Sequence, residues 1–245
     1  GNGSNLLVGD KGYKGTIIKI NDDFSDLSIN PFKQEENSFL VSAQAGISLS
    51  KLAKSIANAG LAGFEFAEGI PGTLGGAVTM NAGAYDGEIN HSIYKAKVLD
   101  NECNLISLTK EELELGYRSS IIQKRDYVVL EAEFVLKTGD KEKIFEKIAD
   151  LNKRRCDKQP LEYPSAGSAF KRPKGYYAGK LIMDSNLAGY QIGGAQVSTK
   201  HCGFVINTGD ARAQDIKNLL LYIKEVVYEK FGVTLEQEVK MLGDF

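Results

Sequence analysis

The chain has 245 residues, of which 42% are hydrophobic and 25% charged, and 30 Lys and Arg against 32 Asp and Glu give a formal charge of −2. This composition predicts a globular protein of one large or two small domains, and the balanced charge argues against a nucleic-acid-binding protein held by a basic surface. No apolar run approaches the roughly 20 residues that span a bilayer. Three separated cysteines without a C-x-x-C pair, and only two histidines, predict free thiols in a reducing, cytoplasmic setting and no metal site.

Apolar residues at helical spacing predict three helices, at 49–59, 141–157 and 211–231. Ser48 and Asp210 are the predicted N-caps of the first and third helices, and Gly60 and Gly232 follow their last residues. The second helix is expected to end before Pro160, because proline cannot continue it.

Alternating apolar residues predict strands, and the clearest run is 128–136. Its apolar side chains are expected on one face: Val128, Leu130, Ala132, Phe134 and Leu136. Shorter strands are predicted at 16–20, 39–42, 94–99, 204–207 and 234–241. Helices and strands do not alternate strictly, which predicts an α+β fold. The end of the long strand before a new helix places a domain boundary near 138–140.

Two glycine-rich segments predict a site for a phosphate-bearing ligand. Residues 69–87 contain six glycines, and the chain opens with Gly1-Asn-Gly-Ser-Asn5. Glycine lets a ligand approach backbone N–H groups closely, and such groups bind phosphate oxygens well, so a dinucleotide is expected. Neither segment matches G-x-G-x-x-G or a P-loop. The alternative is a set of tight turns that need glycine.

Two further segments carry candidate reactive residues. Arg118 lies in Tyr117-Arg-Ser-Ser120 and offers a planar fork for a carboxylate or phosphate, although an arginine near acidic residues is often a solvated ion pair. Ser168 precedes a cationic pair, Lys171 and Arg172, which suits a hydroxyl beside an anionic ligand. Its alternative is a turn with an N-capping serine.

The C-terminal third adds a third glycine-rich segment, 189–207, with Gln196 and His201. His201 is either a ligand contact or a structural residue. Glu236 and Glu238 share one face of the last predicted strand, where the alternative is a solvent-facing pair of carboxylates.

Six motifs, in this order, resemble the UDP-N-acetylenolpyruvoylglucosamine reductases over nearly the whole chain: Gly1-Asn-Gly-Ser-Asn-Leu-Leu7, Gly69-Ile-Pro-Gly-Thr-Leu-Gly-Gly76 with Asn81-Ala-Gly83, Tyr117-Arg-Ser119, Ala166-Gly-Ser-Ala-Phe-Lys-Arg-Pro173, Ile192-Gly-Gly-Ala195 and Leu235-Glu-Gln-Glu-Val239. The resemblance implies an FAD-binding region of the vanillyl-alcohol-oxidase type, expected at 1–138, followed by an α+β C-terminal substrate-binding domain at 139–245. The family reduces UDP-N-acetylglucosamine enolpyruvate to UDP-N-acetylmuramate with FAD and NADPH, in bacterial peptidoglycan precursor synthesis.

The resemblance also implies roles for individual residues. Arg118 matches the arginine that contacts the substrate carboxylate, Ser168 the serine that donates a proton to C2, and Glu238 the catalytic glutamate. Hydride is expected to pass from flavin N5 to C3. Tyr117 and Arg172 match substrate-side positions, and Lys171 and Gln196 are further candidate substrate contacts. The expected cofactor contacts are Gly1, Asn2, Gly3, Ser4, Asn5, Gly69, Ile70, Pro71, Gly72, Thr73, Gly75, Gly76, Asn81, Gly83 and Ala84.

The compact middle of the chain resembles the family's second type, which lacks an inserted substrate-covering loop. Family members carry further residues before the first motif, so a shortened N-terminus is expected. We expect a monomer that acts on small molecules, with no nucleic-acid or membrane partner. Two alternatives are an FAD-linked oxidase or dehydrogenase of the same broad fold with another substrate, and a non-catalytic module that binds a UDP-sugar.

Overall fold

The structure is a computed structural model that describes residues 1–245. The chain forms two compact units. Unit 1 comprises Gly1–Asn2 and Ile18–Arg155, and unit 2 comprises Gly3–Ile17 and Cys156–Phe245. The units therefore change between Arg155 and Cys156, later in the chain than the predicted domain boundary near 138–140. The glycine-rich segment Gly1–Asn5 is therefore divided between the two units.

The helices differ widely in length. Six α-helices are present: α1 (Leu49–Asn58), α2 (Leu74–Thr79), α3 (Ile121–Arg125), α4 (Lys141–Lys158), α5 (Ala178–Asp184) and α6 (Ala213–Phe231). Two single-turn 3-10 helices occupy Glu65–Ala67 and Ile89–His91. None of the helices is both long and apolar enough to cross a bilayer.

Fourteen strands, most of them short, complete the regular structure. They are β1 (Leu6–Val8), β2 (Leu27–Pro31), β3 (Ser38–Gln44), β4 (Leu61–Ala62), β5 (Gly83–Ala84), β6 (Gly87–Glu88), β7 (Ile93–Leu99), β8 (Leu105–Thr109), β9 (Val128–Thr138), β10 (Ser165–Ser168), β11 (Gln191–Ile192), β12 (Ala195–Val197), β13 (Phe204–Asn207) and β14 (Lys240–Leu242).

Unit 1 is built on a six-stranded antiparallel sheet. Its strands follow the order β2-β3-β9-β7-β8, and β4 pairs with the end of β9. Val41 and Phe134 pair across β3 and β9 and are fully buried with Leu52 of α1 in one large core. The opposite sheet face carries ion pairs such as Lys97 with Glu131 at 2.7 Å. One face of this sheet is therefore apolar and the other polar, as expected for an antiparallel sheet with a single buried side.

Unit 2 has a smaller antiparallel sheet in the order β10-β13-β12-β11. Leu219, Leu220 and Ile223 of α6 are fully buried in its core together with Ile182 of α5. β1 pairs in parallel with β14, with Leu7 opposite Met241. That pairing joins segments from near both ends of the chain, which explains why Gly3–Ile17 belong to this unit.

The three predicted helices are confirmed as α1, α4 and α6. Ser48 caps α1 through a hydrogen bond from the Lys51 N–H at 3.2 Å. Asp210 was the wrong N-cap for α6, which begins after Arg212. The first free N–H groups of this helix, on Ala213 and Gln214, donate instead to the carboxylate of Asp10 at 2.8 and 3.3 Å. A residue more than 200 positions away in sequence therefore satisfies groups that the local sequence leaves unpaired.

The predicted strands at 39–42, 94–99, 128–136 and 204–207 are confirmed as parts of β3, β7, β9 and β13. The predicted strand at 16–20 is wrong: this segment has no paired neighbour, and Ile18 is 89% exposed. The predicted strand at 234–241 shrinks to β14 and one isolated bridge between Phe170 and Gln237. Val128 is exposed and Val129 buried, because a register shift in the β7–β9 pairing reverses the face at this end of β9.

Candidate active site

A cleft in unit 1 brings together residues from both predicted cofactor segments. Its lining comprises Gly1, Ile20, Ala45, Thr73, Gly75, Gly76, Thr79, Tyr127, Val128 and Val129. Gly1 and Thr73 touch, since a Cβ on Gly1 would stand 2.7 Å from the Thr73 hydroxyl oxygen. Four of the predicted cofactor residues therefore meet in one cleft, although Gly1 is more than 70 positions away in sequence from Thr73, Gly75 and Gly76.

The glycine-rich segment that begins at Gly69 leads into α2 and contacts the residues that follow β3. Gly72 has φ +123°, a conformation that side-chain-bearing residues rarely adopt. The Leu74 N–H then donates to the Ile47 carbonyl at 2.9 Å and the Gly75 N–H to the Ala45 carbonyl at 2.8 Å. These two N–H groups are hydrogen-bonded within the chain, so they are not available to a phosphate. The expectation that the whole segment offers free amides is therefore wrong for Leu74 and Gly75.

Gly75 and Gly76 face different surroundings. A Cβ on Gly75 would lie 3.0 Å from the Ala45 side chain, whereas a Cβ on Gly76 would meet nothing within 4 Å. Gly76 is exposed and its N–H makes no hydrogen bond within the protein. An open glycine with an unpaired N–H at the start of a helix fits a cofactor phosphate. The Gly76 N–H is therefore available to a phosphate of the cofactor.

The remaining predicted cofactor residues lie outside the lining of this cleft. Gly69 packs against Asn152 and Arg155 of α4, and Ile70 packs on the core of unit 1. Gly83 and Ala84 form β5 in a hairpin with β6. Asn5 lies in unit 2, where its side chain donates to the Glu238 carbonyl at 3.1 Å. Pro71 is exposed, and so are Asn2 and Gly3, whereas Ser4 is half-buried.

Arg118 lies at the tip of a two-residue turn in unit 1. The turn is closed by hydrogen bonds between Gly116 and Ser119 in both directions, at 3.0 and 3.2 Å. Arg118 has φ +52°, which is uncommon for a residue other than glycine, asparagine or aspartate. Its guanidinium carbon is 5.2 Å from the ring centre of the exposed Tyr117.

Asn81 connects this turn to the end of α2. It is 1% exposed, and its side chain donates to the Gly116 carbonyl at 3.1 Å and accepts from the Asn90 N–H at 2.9 Å. The predicted cofactor contact of Asn81 stays a prediction. In the structure its side-chain amide ties the Arg118 turn to the chain that follows α2.

The segments that carry Ser168 and Glu238 pair with each other in unit 2. The Glu238 N–H donates to the Ala169 carbonyl at 3.0 Å, and the Lys171 N–H donates to the Glu236 carbonyl at 2.8 Å. Segments 169–171 and 236–238 therefore run antiparallel, and Glu238 lies opposite Ala169, the residue that follows Ser168. The Ser168 hydroxyl is half-buried and makes no hydrogen bond within the protein, so it is available to a ligand.

Three other predicted substrate residues are engaged by neighbouring side chains in unit 2. Lys171 Nζ is 2.5 Å from a carboxylate oxygen of Glu236, whose side chain is 71% exposed. The Arg172 guanidinium carbon is 4.0 Å from the ring centre of Tyr177. Gln196 on β12 donates to the side-chain oxygen of Gln191 on β11 at 3.1 Å. Glu236 thus has a salt-bridge partner in Lys171.

His201 is held as a structural residue. Its Nδ1 accepts the Gly203 N–H at 3.1 Å, and its ring meets the Phe204 ring edge to face at 5.0 Å. Burial lowers the pKa of His201 below its ordinary value, and the nearby charge of Lys158 acts in the same direction. These contacts support the interpretation of His201 as a structural residue.

Sequence reasoning missed the residues that support Arg118. Ser120 caps α3 by accepting the Gln123 N–H at 3.4 Å, and its own hydroxyl donates to the Thr79 carbonyl at 2.6 Å. The available signal was the spacing Ser120-x-x-Gln123, which matches a helix capping pattern. It predicts a helix start, but it cannot show that both side chains also contact α2.

Two protein-family models match the chain. The model of an FAD binding domain matches residues 1–109. The model of the UDP-N-acetylenolpyruvoylglucosamine reductase C-terminal domain matches residues 159–242. The predicted domain boundary at 138/139 falls between the two matches and stays a prediction.

Curated relatives are similar over the whole chain. UDP-N-acetylenolpyruvoylglucosamine reductase of Lachnoclostridium phytofermentans is 57% identical over 244 residues, which is 100% of this chain and 78% of that protein. The protein of the same name from Agathobacter rectalis is 51% identical over 250 residues, 100% of this chain and 80% of that protein. The crystal structure of UDP-N-acetylenolpyruvylglucosamine reductase from Thermus caldophilus has a TM-score of 0.81 and 34% identity, and the likeness covers 99% of this chain and 84% of that one.

Proposed function

The chain belongs to the UDP-N-acetylenolpyruvoylglucosamine reductase family, as its motifs predicted, and we propose how its residues carry out the family's reaction. It is an FAD-dependent oxidoreductase that reduces the enolpyruvyl ether of UDP-N-acetylglucosamine with NADPH in peptidoglycan precursor synthesis. Bound FAD supplies the hydride transfer from NADPH to the substrate.

Gly1, Thr73 and Gly76 hold the diphosphate of the cofactor in the cleft of unit 1. The support is the open space at Gly76, its unpaired N–H, and the contact between Gly1 and Thr73. Gly75 acts indirectly, because its N–H fixes the start of α2 on Ala45. The loop therefore offers some amides to the ligand and uses others to keep its own shape.

Arg118 binds the carboxylate of the enolpyruvyl group. Once hydride reaches C3, negative charge develops on C2 and spreads into that carboxylate, where a planar guanidinium can donate two parallel hydrogen bonds. Removing one preorganised donor of this kind costs about 3–4 kcal/mol of transition-state stabilisation. The turn that holds Arg118 in a left-handed conformation supports this role, since strained residues cluster at functional sites.

Ser168 donates the proton to C2, and Glu238 assists, as an acid or through an ordered hydrogen bond. The observation that carries this assignment is the antiparallel contact in which the Glu238 N–H donates to the Ala169 carbonyl at 3.0 Å. It brings the Glu238 backbone opposite Ala169, the residue that follows Ser168, and the Ser168 hydroxyl makes no hydrogen bond within the protein. A serine hydroxyl is a weak acid, so a neighbouring charge or hydrogen bond must polarise it.

The enzyme acts in the cytoplasm as a monomer on small molecules. Its three cysteines are all free, which suits a reducing compartment, and its charge of −2 offers no basic field for nucleic acid.

Separate measurement of the two half-reactions tests these roles. Ser168→Ala should keep flavin reduction by NADPH and slow the oxidation of reduced flavin by the enolpyruvyl substrate by roughly 10²–10⁴-fold. Glu238→Gln should show the same division. Ser165→Ala, at an exposed serine on the same strand, is the matched control. Equal loss of both half-reactions in Ser168→Ala would remove Ser168 from the role of proton donor.

A further inference from the structure

The turn that carries Arg118 is fastened at both ends to the C-terminal end of α2. On one side, Ser120 Oγ and Gln123 Nε2 both donate to the Thr79 carbonyl, at 2.6 and 2.9 Å. On the other side, the buried Asn81 donates to the Gly116 carbonyl at 3.1 Å. Ser120 is fully buried, so its hydroxyl has no competing partner in solvent.

Gln123 also contacts the Arg118 backbone directly. Its Nε2 lies 3.4 Å from the Arg118 carbonyl oxygen, while the same amide reaches Thr79. Arg118 has φ +52°, and a residue with a Cβ stays in that conformation only where its surroundings impose it. The Gln123 amide thus contacts a turn whose conformation is closed by the two hydrogen bonds between Gly116 and Ser119.

The same short helix begins at the cofactor cleft and ends at these contacts. α2 has six residues, which at 1.5 Å per residue is a rod of about 9 Å. Gly75 and Gly76 lie in its first turn, and Thr79, which also lines the cleft, is its last residue. The Thr79 hydroxyl donates to the Gly75 carbonyl at 2.7 Å, so the two ends of the helix are joined by a further bond.

We propose that Ser120 and Gln123 are positioning residues for Arg118, which set the direction of its guanidinium relative to the cofactor cleft by bonding its turn to α2. This inference rests on the proposed role of Arg118 toward the substrate carboxylate. The Ser120 hydroxyl donates to the Thr79 carbonyl and the Gln123 amide contacts the Thr79 carbonyl, Met80 Sδ and the Arg118 carbonyl, so we assign neither residue a contact with the substrate. Their effect must therefore appear in the step that needs Arg118, and not in flavin reduction by NADPH.

Single-turnover absorbance of the FAD-loaded protein measures the two half-reactions separately. Gln123→Met keeps the side-chain length and removes both donors, and Ser120→Ala removes the hydroxyl. A misplacement of about 1 Å costs up to ~100-fold in rate, so we expect oxidation by the enolpyruvyl substrate to slow roughly 10- to 100-fold in both variants. Flavin reduction by NADPH should stay within about twofold of wild type.

Ser185→Ala is the matched control for Ser120→Ala. The Ser185 hydroxyl is also buried and donates to a backbone carbonyl, that of Leu181, at 2.8 Å. Both alanine variants should lower the melting temperature similarly, but only Ser120→Ala should slow the substrate step. Gln123 is half-buried, so Gln123→Met folds even if Ser120→Ala does not, and it decides the question alone.

The double variant Arg118→Lys with Gln123→Met separates this proposal from the role of Arg118. If Gln123 acts through Arg118, the double variant is no slower in the substrate step than Arg118→Lys alone, because the two losses are not additive.

A normal substrate step in Gln123→Met beside a slow one in Arg118→Lys overturns the positioning role and leaves the proposed function intact. A normal substrate step in Arg118→Lys itself overturns the role of Arg118. Additive losses, or equal slowing of both half-reactions in Gln123→Met, also overturn the positioning role.

Discussion

Gly75 and Gly76 are adjacent in sequence and are glycine for different reasons. Gly75→Ala forces a Cβ to within 3.0 Å of Ala45 and should lower the free energy of unfolding by about 1–3 kcal/mol through overpacking. In Gly76→Ala the added Cβ meets no atom within 4 Å. This substitution should raise the free energy of unfolding by up to about 1 kcal/mol, because alanine is the better helix former.

The two variants should also differ in FAD binding. Gly76→Ala places a methyl group in the open space where we propose the cofactor phosphate lies, so its dissociation constant for FAD should rise although the protein is more stable. Urea unfolding of the apoprotein and flavin fluorescence titration measure the two quantities. Unchanged FAD affinity in Gly76→Ala would show that the phosphate does not approach this residue.

His201 should make the protein less stable in mild acid. Its pKa is lowered in the folded state by burial and by Lys158, so the unfolded chain binds the proton more readily. The free energy of unfolding should therefore fall as the pH drops through about 6.5, the ordinary pKa of histidine.

Asparagine at this position tests the effect, because its side-chain oxygen can replace Nδ1 as acceptor for the Gly203 N–H without titrating. Between about pH 7.5 and about pH 5.5, His201→Asn should lose less stability than wild type in urea unfolding. His91→Asn, at a side chain that is 58% exposed, is the matched control. An identical loss in wild type and His201→Asn would contradict the prediction.

The sequence motifs identified the candidate catalytic residues, but they did not identify the residues that position them. The motifs named Ser168 and Glu238, and the pairing of 169–171 with 236–238 brings these two distant motifs into contact. The same sequence reasoning did not find Thr79 or Gln123. Their function depends on a carbonyl and an amide meeting across two short helices, and no residue type signals that contact.

At the scale of elements, Asp10 caps α6 from the opposite end of the chain. Asp10→Ala leaves the N–H groups of Ala213 and Gln214 without their acceptor and removes a negative charge from the helix N-terminus. We expect a loss of about 1 kcal/mol in the free energy of unfolding, and a smaller loss for Asp10→Asn, which keeps an acceptor. Urea titration measures both, with the exposed Asp86→Ala as control. Equal stability of Asp10→Ala and wild type would argue that water replaces the cap.

Long helices could be predicted from the sequence and short ones could not. α1, α4 and α6 have 10 to 19 residues, enough to show helical spacing of apolar side chains. α2, α3 and α5 have five to seven residues, too few for a periodic signal. The predicted strand at 16–20 failed for another reason: alternation shows which face of a strand is apolar but not whether a partner strand exists.

At the scale of the whole molecule, segment Gly3–Ile17 should share the stability of unit 2. Leu219→Ala and Leu52→Ala remove equally buried leucines from the cores of unit 2 and unit 1, and each should cost about 2–5 kcal/mol. Amide hydrogen exchange at Leu6–Val8 should quicken more in Leu219→Ala than in Leu52→Ala. The reverse order would mean that these residues open and close with the core of unit 1 instead.

The parallel pairing of β1 with β14 has a consequence for biosynthesis. Leu6 leaves the ribosome more than 230 residues before its partner Lys240. Proteins begin to fold from the N-terminus while they are being made, so β1 stays an unpaired edge until β14 emerges. During that interval Asn5 has no Glu238 carbonyl to bind, and the nascent chain exposes an apolar segment that a chaperone could bind.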